Sequence, residues 1–215
     1  MLHPKADLAI AKKVLSGTQA EHHVITLNEL TIPELQNNPV NRCYLCKKEL
    51  FHRIQEFARQ KNVSIIIEGT NEDDLHVYRP GIQAIRELGI KSPLARCEMT
   101  KADVRVLAGK YGIPVANRPS APCLATRLPY GTKIDFDLLK RIEKAEERVK
   151  ELVPGNVRIR VHGDILRLET DEQVMPMLLE NREKVLSCLK EVGCPYITFD
   201  LEGFRSGSMD VHVEK

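Results

Sequence analysis

The sequence predicts an α/β protein with a parallel-sheet domain over residues 1–125 and a small α+β domain over residues 126–215. Three observations carry this. Helical and strand-like segments alternate from Lys5 to about Val115, the pattern of βα units on a parallel sheet. Pro119, Pro122, Pro129 and Gly131 then mark Asn117–Thr132 as a loop or linker. Beyond it the predicted order is α-β-β-α-β, which suits a small α+β fold.

Taken in order, Lys5–Ser16 is an amphipathic helix stopped at Gly17, and His23–Leu27 is a short buried strand. After Pro33 and Pro39, Cys43–Lys61 is helical, with Leu45, Leu50, Ile54 and Phe57 near one face. Val63–Ile67 is a continuous β-branched run, typical of a parallel strand buried on both faces, and it opens into the polar loop Glu68–Asp74. Gly81–Leu88 is a helix and Ser92–Ala95 a strand edge. Thr100–Tyr111 is a helix whose N-cap Thr100 has Asp103 at the capping-box position. Asp135–Leu152 is a highly charged helix. Val157–His162 and Ile165–Glu169 are strands broken at Gly163-Asp164, Glu172–Val192 is a helix despite Pro176, and Tyr196–Leu201 is a final strand.

Composition narrows the function classes. With 32 basic and 30 acidic side chains the net charge is +2, which gives no electrostatic argument for nucleic acid as the main partner. No apolar run approaches the ~18 residues of a membrane span, and the first residues lack a signal-peptide core, so a cytoplasmic protein is expected. Six cysteines are too few for a disulfide scaffold, which leaves them reduced, metal-bound or catalytic.

Three groups of residues carry chemistry. In the loop after Val63–Ile67, Gly69 permits close backbone approach, and Thr70, Asn71 and Asp73 offer hydrogen bonds or oxygen ligands for Mg²⁺; an acidic turn is the plain alternative. Cys43 and Cys46, three apart on a helical turn, can chelate a metal or run a dithiol cycle, against the alternative of two core cysteines. Cys123 in the linker adds a third thiol, a set that would suit an iron–sulfur cluster with one iron free. Cys97, Cys188 and Cys194 are expected to be structural. Arg158 and Arg160 alternate along a strand and point to one face. With Arg127 and Arg205 they can clamp phosphate or carboxylate, or line a solvated sheet face. Glu143, Glu146 and Glu147 lie on the charged helix, where solvated surface is the plain reading.

Read together, these segments resemble one family. Glu68-Gly69-Thr70-Asn71 with Asp73-Asp74 and Tyr78–Gly81 looks like its second nucleotide-site loop. Ser92-Pro93-Leu94, Met99–Arg105 with Lys101, and Gly112-Ile113-Pro114 are similar to the downstream half of PP-loop ATP pyrophosphatases. Pro122–Gly131 and Gly203–Gly207 are narrower signals, similar to LarE, the ATP-dependent sulfur transferases of nickel-pincer nucleotide cofactor synthesis.

The resemblance implies a Rossmann-like (adenine nucleotide alpha hydrolase-like) parallel sheet. It also implies ATP and Mg²⁺, adenylylation of a carboxylate of a pyridinium dicarboxylate mononucleotide, and replacement of AMP by sulfur. The residues it assigns to the nucleotide and substrate are Gly69, Thr70, Asn71, Asp73, Arg79, Lys101, Arg127, Arg158, Arg160 and Arg205, with Glu146 in the metal and substrate region. Some members consume a cysteine of their own, and Pro122 stands at that position here. The branch matched by Cys43, Cys46 and Cys123 binds a [4Fe–4S] cluster that delivers sulfide, making Cys123 both ligand and catalytic residue. The family is similar to homo-oligomers.

The Ser-Gly-Gly-x-Asp-Ser loop that cradles pyrophosphate in such enzymes is absent from these 215 residues, and Ser16-Gly17-Thr18 closes a helix instead of opening one. The sheet is therefore expected to be N-terminally incomplete, through truncation or a loop supplied by a separate chain, and the 215 residues alone are expected not to adenylylate. Competing readings are a cluster-dependent tRNA thiolase, an amide-forming PP-loop ligase, and a non-catalytic sulfide-carrying or scaffold subunit.

Overall fold

The structure, a computed structural model, describes residues 2, 6–116, 122–205 and 207–209. The first residues of the expected loop or linker, 117–121, and Ser206 of the closing motif lie outside the described residues. The chain divides into two compact units. Leu2, residues 36–38 and the described residues from Pro122 onward form one; residues 6–35 and 39–116 form the other.

The unit from Pro122 onward is built on α7 (Phe136–Leu152), followed by β1 (Val157–His162), β2 (Ile165–Thr170), α8 (Met175–Glu180), α9 (Arg182–Lys190) and β3 (Tyr196–Phe199). Asp135 caps α7, its carboxylate accepting the N–H groups of Asp137 and Leu138. Leu139, Ile142, Ala145 and Val149 recur at helical spacing and are buried on one face. They pack with Val157, Ile159 and Val161 of β1, Leu166 and Leu168 of β2, and Val185 and Leu189 of α9 in one core.

β1 and β2 pair antiparallel, His162 opposite Ile165 and Arg158 opposite Glu169. Their two-residue turn has a positive φ at Gly163 alone (60°), the type II′ pattern whose twist matches the strands. β3 adds in parallel to β2 after the crossover through α8 and α9, giving the order β1-β2-β3.

Two expectations are corrected in this unit. The stretch from Pro122 to Thr132 is a loop with one 3₁₀ turn, Leu124–Arg127, but it does not merely link: Leu124, Ala125 and Leu128 are 3%, 0% and 2% exposed within the core. The single helix expected over Glu172–Val192 is a 3₁₀ turn (Glu172–Val174) followed by α8 and α9. Pro176 sits in the first turn of α8, where its missing N–H costs nothing, and Asn181 divides the two helices.

The other unit contains α1 (Ala6–Leu15), α2 (Arg42–Gln60), α3 (Glu72–Leu75), α4 (Gly81–Glu87), α5 (Pro93–Arg96) and α6 (Lys101–Lys110). Both α3 and α6 begin with complete capping boxes, Asn71 with Asp74 and Thr100 with Asp103. The expected strand at Ser92–Ala95 is instead the start of α5, because Pro93 at its first position is pre-set for helical φ. His23–Leu27 forms no strand. Of the expected parallel sheet, the described residues hold one parallel bridge, Ile67 to Lys91. The buried cluster of this unit is small: Phe51, Ile85 and Ile90, with Ile54, Ile66 and Leu88 half-buried against it. No helix among the described residues is long and apolar enough to cross a membrane.

Candidate functional site

In the unit of residues 6–116, chemistry collects around the loop that follows Ile67. Glu68 is its hub: one carboxylate oxygen accepts the Thr70 N–H at 3.0 Å and the Ser92 hydroxyl, and the other accepts the Thr70 hydroxyl at 2.8 Å. Lys47 Nζ of α2 stands 3.7 Å away. Burial by itself raises the Glu68 carboxyl, but the donors Ser92 and Thr70 and the nearby ammonium of Lys47 outweigh it and hold the group below its ordinary value. Thr70 and Asn71 are buried, and the Thr70 carbonyl accepts the Ala95 N–H at 3.1 Å.

Asp73 is exposed and accepts the Lys101 backbone N–H at 2.8 Å, tying the loop to the start of α6. Arg79 is exposed and pairs with Asp74 at 2.9 Å. A Cβ on Gly69 would meet no atom within 4 Å, so backbone approach from outside is open there. Lys47 was not singled out from sequence, and Glu68 and Ser92 stood only inside the quoted motifs, with no role of their own. Glu68 ends the β-branched run, and that position was the available signal.

Cys43 and Cys46 occupy the first turn of α2. Their spacing places both thiols on one side of the helix, Cys43 exposed and Cys46 half-buried, and neither is in a disulfide. α4 approaches this turn closely. A Cβ on Gly81 would lie 2.9 Å from Lys47 Cδ and 3.4 Å from the Cys43 carbonyl, so a larger residue there would have to move the Lys47 side chain. Among the described residues, no set of three or more His, Cys, Asp or Glu side chains converges on a metal position.

In the other unit the charged residues line the second face of the β1–β2 hairpin. Arg127 and Glu146 form a two-pronged pair, Nε to Oε1 and Nη2 to Oε2, both 2.8 Å, with side chains 3% and 4% exposed. Glu146 Oε1 also accepts the Ile159 N–H at 2.8 Å, while Arg127 Nη1 reaches the Thr126 hydroxyl at 3.0 Å and the Pro122 carbonyl at 3.3 Å. Glu146 is thus no solvated surface residue.

Arg160 donates from Nε to Glu169 Oε1 at 2.6 Å and from Nη1 to the Thr126 carbonyl at 2.6 Å. Arg167 shares the same Glu169 oxygen at 2.9 Å. Glu169 Oε2 and Thr170 Oγ1, on opposite faces of β2, are buried and have no hydrogen-bond partner among the described residues. Arg158 is buried, bonds the Val157 carbonyl at 2.8 Å and lies with its guanidinium carbon 5.3 Å from the Phe204 ring centre. Arg205 is exposed, near Glu202 (2.6 Å) and Asp200 (3.6 Å). Cys123 is half-buried against the core, and its carbonyl accepts the N–H and hydroxyl of Thr126. Glu169 was likewise missed from sequence; its alternation with Arg167 on β2 was visible, but its pairing to Arg160 needed the strand register.

His162 follows Arg158 and Arg160 on this face. Burial and the guanidiniums of Arg167 and Arg160 hold its imidazole below the ordinary value of 6.5, against the opposite pull of Glu169. A depressed group contributes stability that is present above the unfolded pKa and lost as pH falls through the folded pKa. Urea denaturation should therefore show stability declining as pH drops below 6.5, with a slope of up to one proton. His162→Asn should flatten that slope between pH 7 and the folded value; an unchanged slope would show that other groups carry it.

No protein-family model matches the sequence. Three curated relatives do. The chain is 36% identical over 191 residues to an uncharacterized protein of Synechocystis sp., covering 88% of this chain and 71% of the relative. It is 33% identical over 190 residues to the pyridinium-3,5-bisthiocarboxylic acid mononucleotide synthase of Lactiplantibacillus plantarum, covering 88% and 69%. It is 30% identical over 187 residues to an uncharacterized protein of Methanocaldococcus jannaschii, covering 87% and 73%.

Proposed function

The chain belongs to the pyridinium-3,5-bisthiocarboxylic acid mononucleotide synthase family, and from that premise we propose that it acts in ATP-dependent sulfur transfer to a carboxylate of a pyridinium dicarboxylate mononucleotide. The observation that carries this reading is the 33% identity over 88% of the chain to the Lactiplantibacillus synthase. The chemistry follows from the electrophile. A carboxylate resists nucleophiles until adenylylation makes one oxygen part of a phosphoanhydride-like leaving group. Sulfide then attacks the carbonyl carbon, a C–S bond forms, the C–O bond to AMP breaks with its electron pair leaving on the phosphate, and no redox change occurs.

The residues divide by task. Glu68–Asp74, Arg79 and Lys101 are proposed to receive ATP and Mg²⁺, with the open backbone at Gly69 as the point of approach. Arg158, Arg160 and Arg205 are proposed to address the substrate phosphate. Glu169 Oε2, on the arginine face of β2, is a polar atom that a bound ligand would satisfy. Glu146 acts here as a positioning residue, since both of its oxygens are taken up by Arg127 and the Ile159 N–H.

Cys43 and Cys46 fit two ligands of an iron–sulfur cluster by spacing and accessibility, with Cys123 proposed as the third. When bound, such a cluster supplies an open iron at which sulfide can be held. Protein reconstituted anaerobically with iron and sulfide, then given substrate already adenylylated, should release AMP and yield a nucleotide heavier by one sulfur-for-oxygen exchange. Mass spectrometry showing unchanged or merely hydrolysed substrate would refute sulfur transfer.

A further inference from the structure

The arginine face of the three-stranded sheet is arranged in rows, because residues in register share a face. Arg160, Arg167 and Thr198 form one row, and His162, Ile165 and Tyr196 form the next, toward the hairpin turn. The two rows lie about 7 Å apart, two residues along each strand. On the other side of the Arg160 row stand Arg158 and Glu169, and that end is covered. Phe204 lies against Arg158, and the Ser208 hydroxyl reaches Glu169 Oε1 at 3.4 Å.

The His162 row is open. Ile165 and Tyr196 are 43% and 64% exposed, although Ile197 and Phe199, on the other face of β3, pack against the core. Two ring or guanidinium nitrogens border this apolar pair with their capacity unused. His162 Nε2 and Arg167 Nε are buried and make no hydrogen bond with any described residue. Arg167 Nε comes no nearer than 3.6 Å to Asp200 Oδ2. Buried nitrogens of this kind cost free energy until an acceptor reaches them. The complementary ligand is therefore flat, with a ring for Tyr196 and Ile165 and an anionic oxygen at its edge for His162 and Arg167.

We propose that Tyr196 and Ile165 form the subsite for the ring of a pyridinium carboxylate mononucleotide, with a ring carboxylate accepting from His162 Nε2 and Arg167 Nε. Charge complementarity selects this occupant. A pyridinium ring carries a fixed positive charge, which the negative face of a tyrosine ring attracts, while its carboxylate is the partner of a guanidinium. The subsite rests on the sulfur-transfer reading, which puts the substrate phosphate at Arg158, Arg160 and Arg205. From Arg160 the ring lies one row on, and the ribose bridges that step.

Calorimetric titration of the 215-residue protein, without ATP, compares nicotinic acid mononucleotide, a pyridinium ring with one carboxylate, with ribose 5-phosphate, which has no ring. The mononucleotide should bind at least about tenfold tighter. Tyr196→Ala should bring the two affinities within about twofold of each other and leave that for ribose 5-phosphate unchanged, showing that the arginines are intact. Tyr196→Phe keeps an aromatic face and should keep the preference. The chain has no Trp, so its fluorescence comes from tyrosine. The stacked ring should quench part of it, and Tyr196→Phe should lose that quenching while keeping the affinity. His162→Leu should remove the preference for nicotinic acid mononucleotide over its carboxamide counterpart.

Equal affinity of the unaltered protein for the two probes, or an unchanged preference in Tyr196→Ala, overturns the proposal. An oligomer that Tyr196→Ala dissociates, with the preference unchanged, assigns the patch to a second copy and overturns it too. Binding of neither probe removes the phosphate from the arginines and the ring subsite with it. Thiocarboxylate formation beside an unchanged preference in Tyr196→Ala sinks the ring subsite alone. A preference lost in Tyr196→Ala, from a protein that makes no thiocarboxylate, sinks the sulfur-transfer reading alone.

Discussion

Glu146→Ala should cost the unit that holds α7 and the hairpin about 3–5 kcal/mol, the usual penalty for removing one partner of a buried ion pair. The mechanism is specific. Arg127, 3% exposed at its side chain, would be left as a buried charge without its carboxylate, and the Ile159 N–H would lose its acceptor. Against the roughly 5–15 kcal/mol by which domains are stable, this is enough to populate the unfolded unit.

Two further variants separate charge from shape. Glu146→Gln keeps the volume and an acceptor for Ile159, and should lose markedly less. Arg127→Met/Glu146→Leu removes both charges and should recover most of the loss, leaving the cost of one buried N–H, about 1–3 kcal/mol. Urea midpoints of these proteins, with Arg127→Met and Glu146→Leu made singly, complete the double-mutant cycle. A Glu146→Ala loss below about 1 kcal/mol would mean that the pair contributes as little as a surface ion pair does.

The second large effect concerns sulfur. Cys43→Ser, Cys46→Ser and Cys123→Ser should each abolish the brown absorbance of anaerobically reconstituted protein and, with it, thiocarboxylate formation. Serine keeps nearly the same shape but gives no thiolate for iron. Cys188→Ala is the control. It is buried in the core beside Val185 and Leu189, so its replacement should lower stability slightly and leave the colour intact. Loss of colour in Cys188→Ala with retention in Cys123→Ser would refute the ligand assignment.

Glu68 shows how the two readings of the nucleotide loop divide. The acidic turn and the ligand loop are both visible as Gly69, Thr70, Asn71 and Asp73. Only in three dimensions does Glu68 gather Thr70 and Ser92, residues two and twenty-four positions away. The arginines behave likewise. Arg127, Arg158, Arg160 and Arg205 look equivalent as candidates for a clamp, but Arg127 is taken by Glu146 and Arg160 by Glu169, while Arg205 stays exposed.

What the sequence by itself determined is local. The capping box at Thr100, the Gly163-Asp164 hairpin and the shared helical turn of Cys43 and Cys46 all follow from interactions within a few residues. What only the tertiary structure decided is burial and partnership. The Pro122–Thr132 stretch, rich in loop formers, is core because Leu124, Ala125 and Leu128 face α7 and the hairpin's cluster. Val63–Ile67, apolar enough for a buried strand, leaves Val63, Ile65 and Ile67 52%, 69% and 64% exposed. The reason is that backbone periodicity is set by neighbours in the chain, whereas the partner of a charge and the covering of an apolar face are set by segments far away in it.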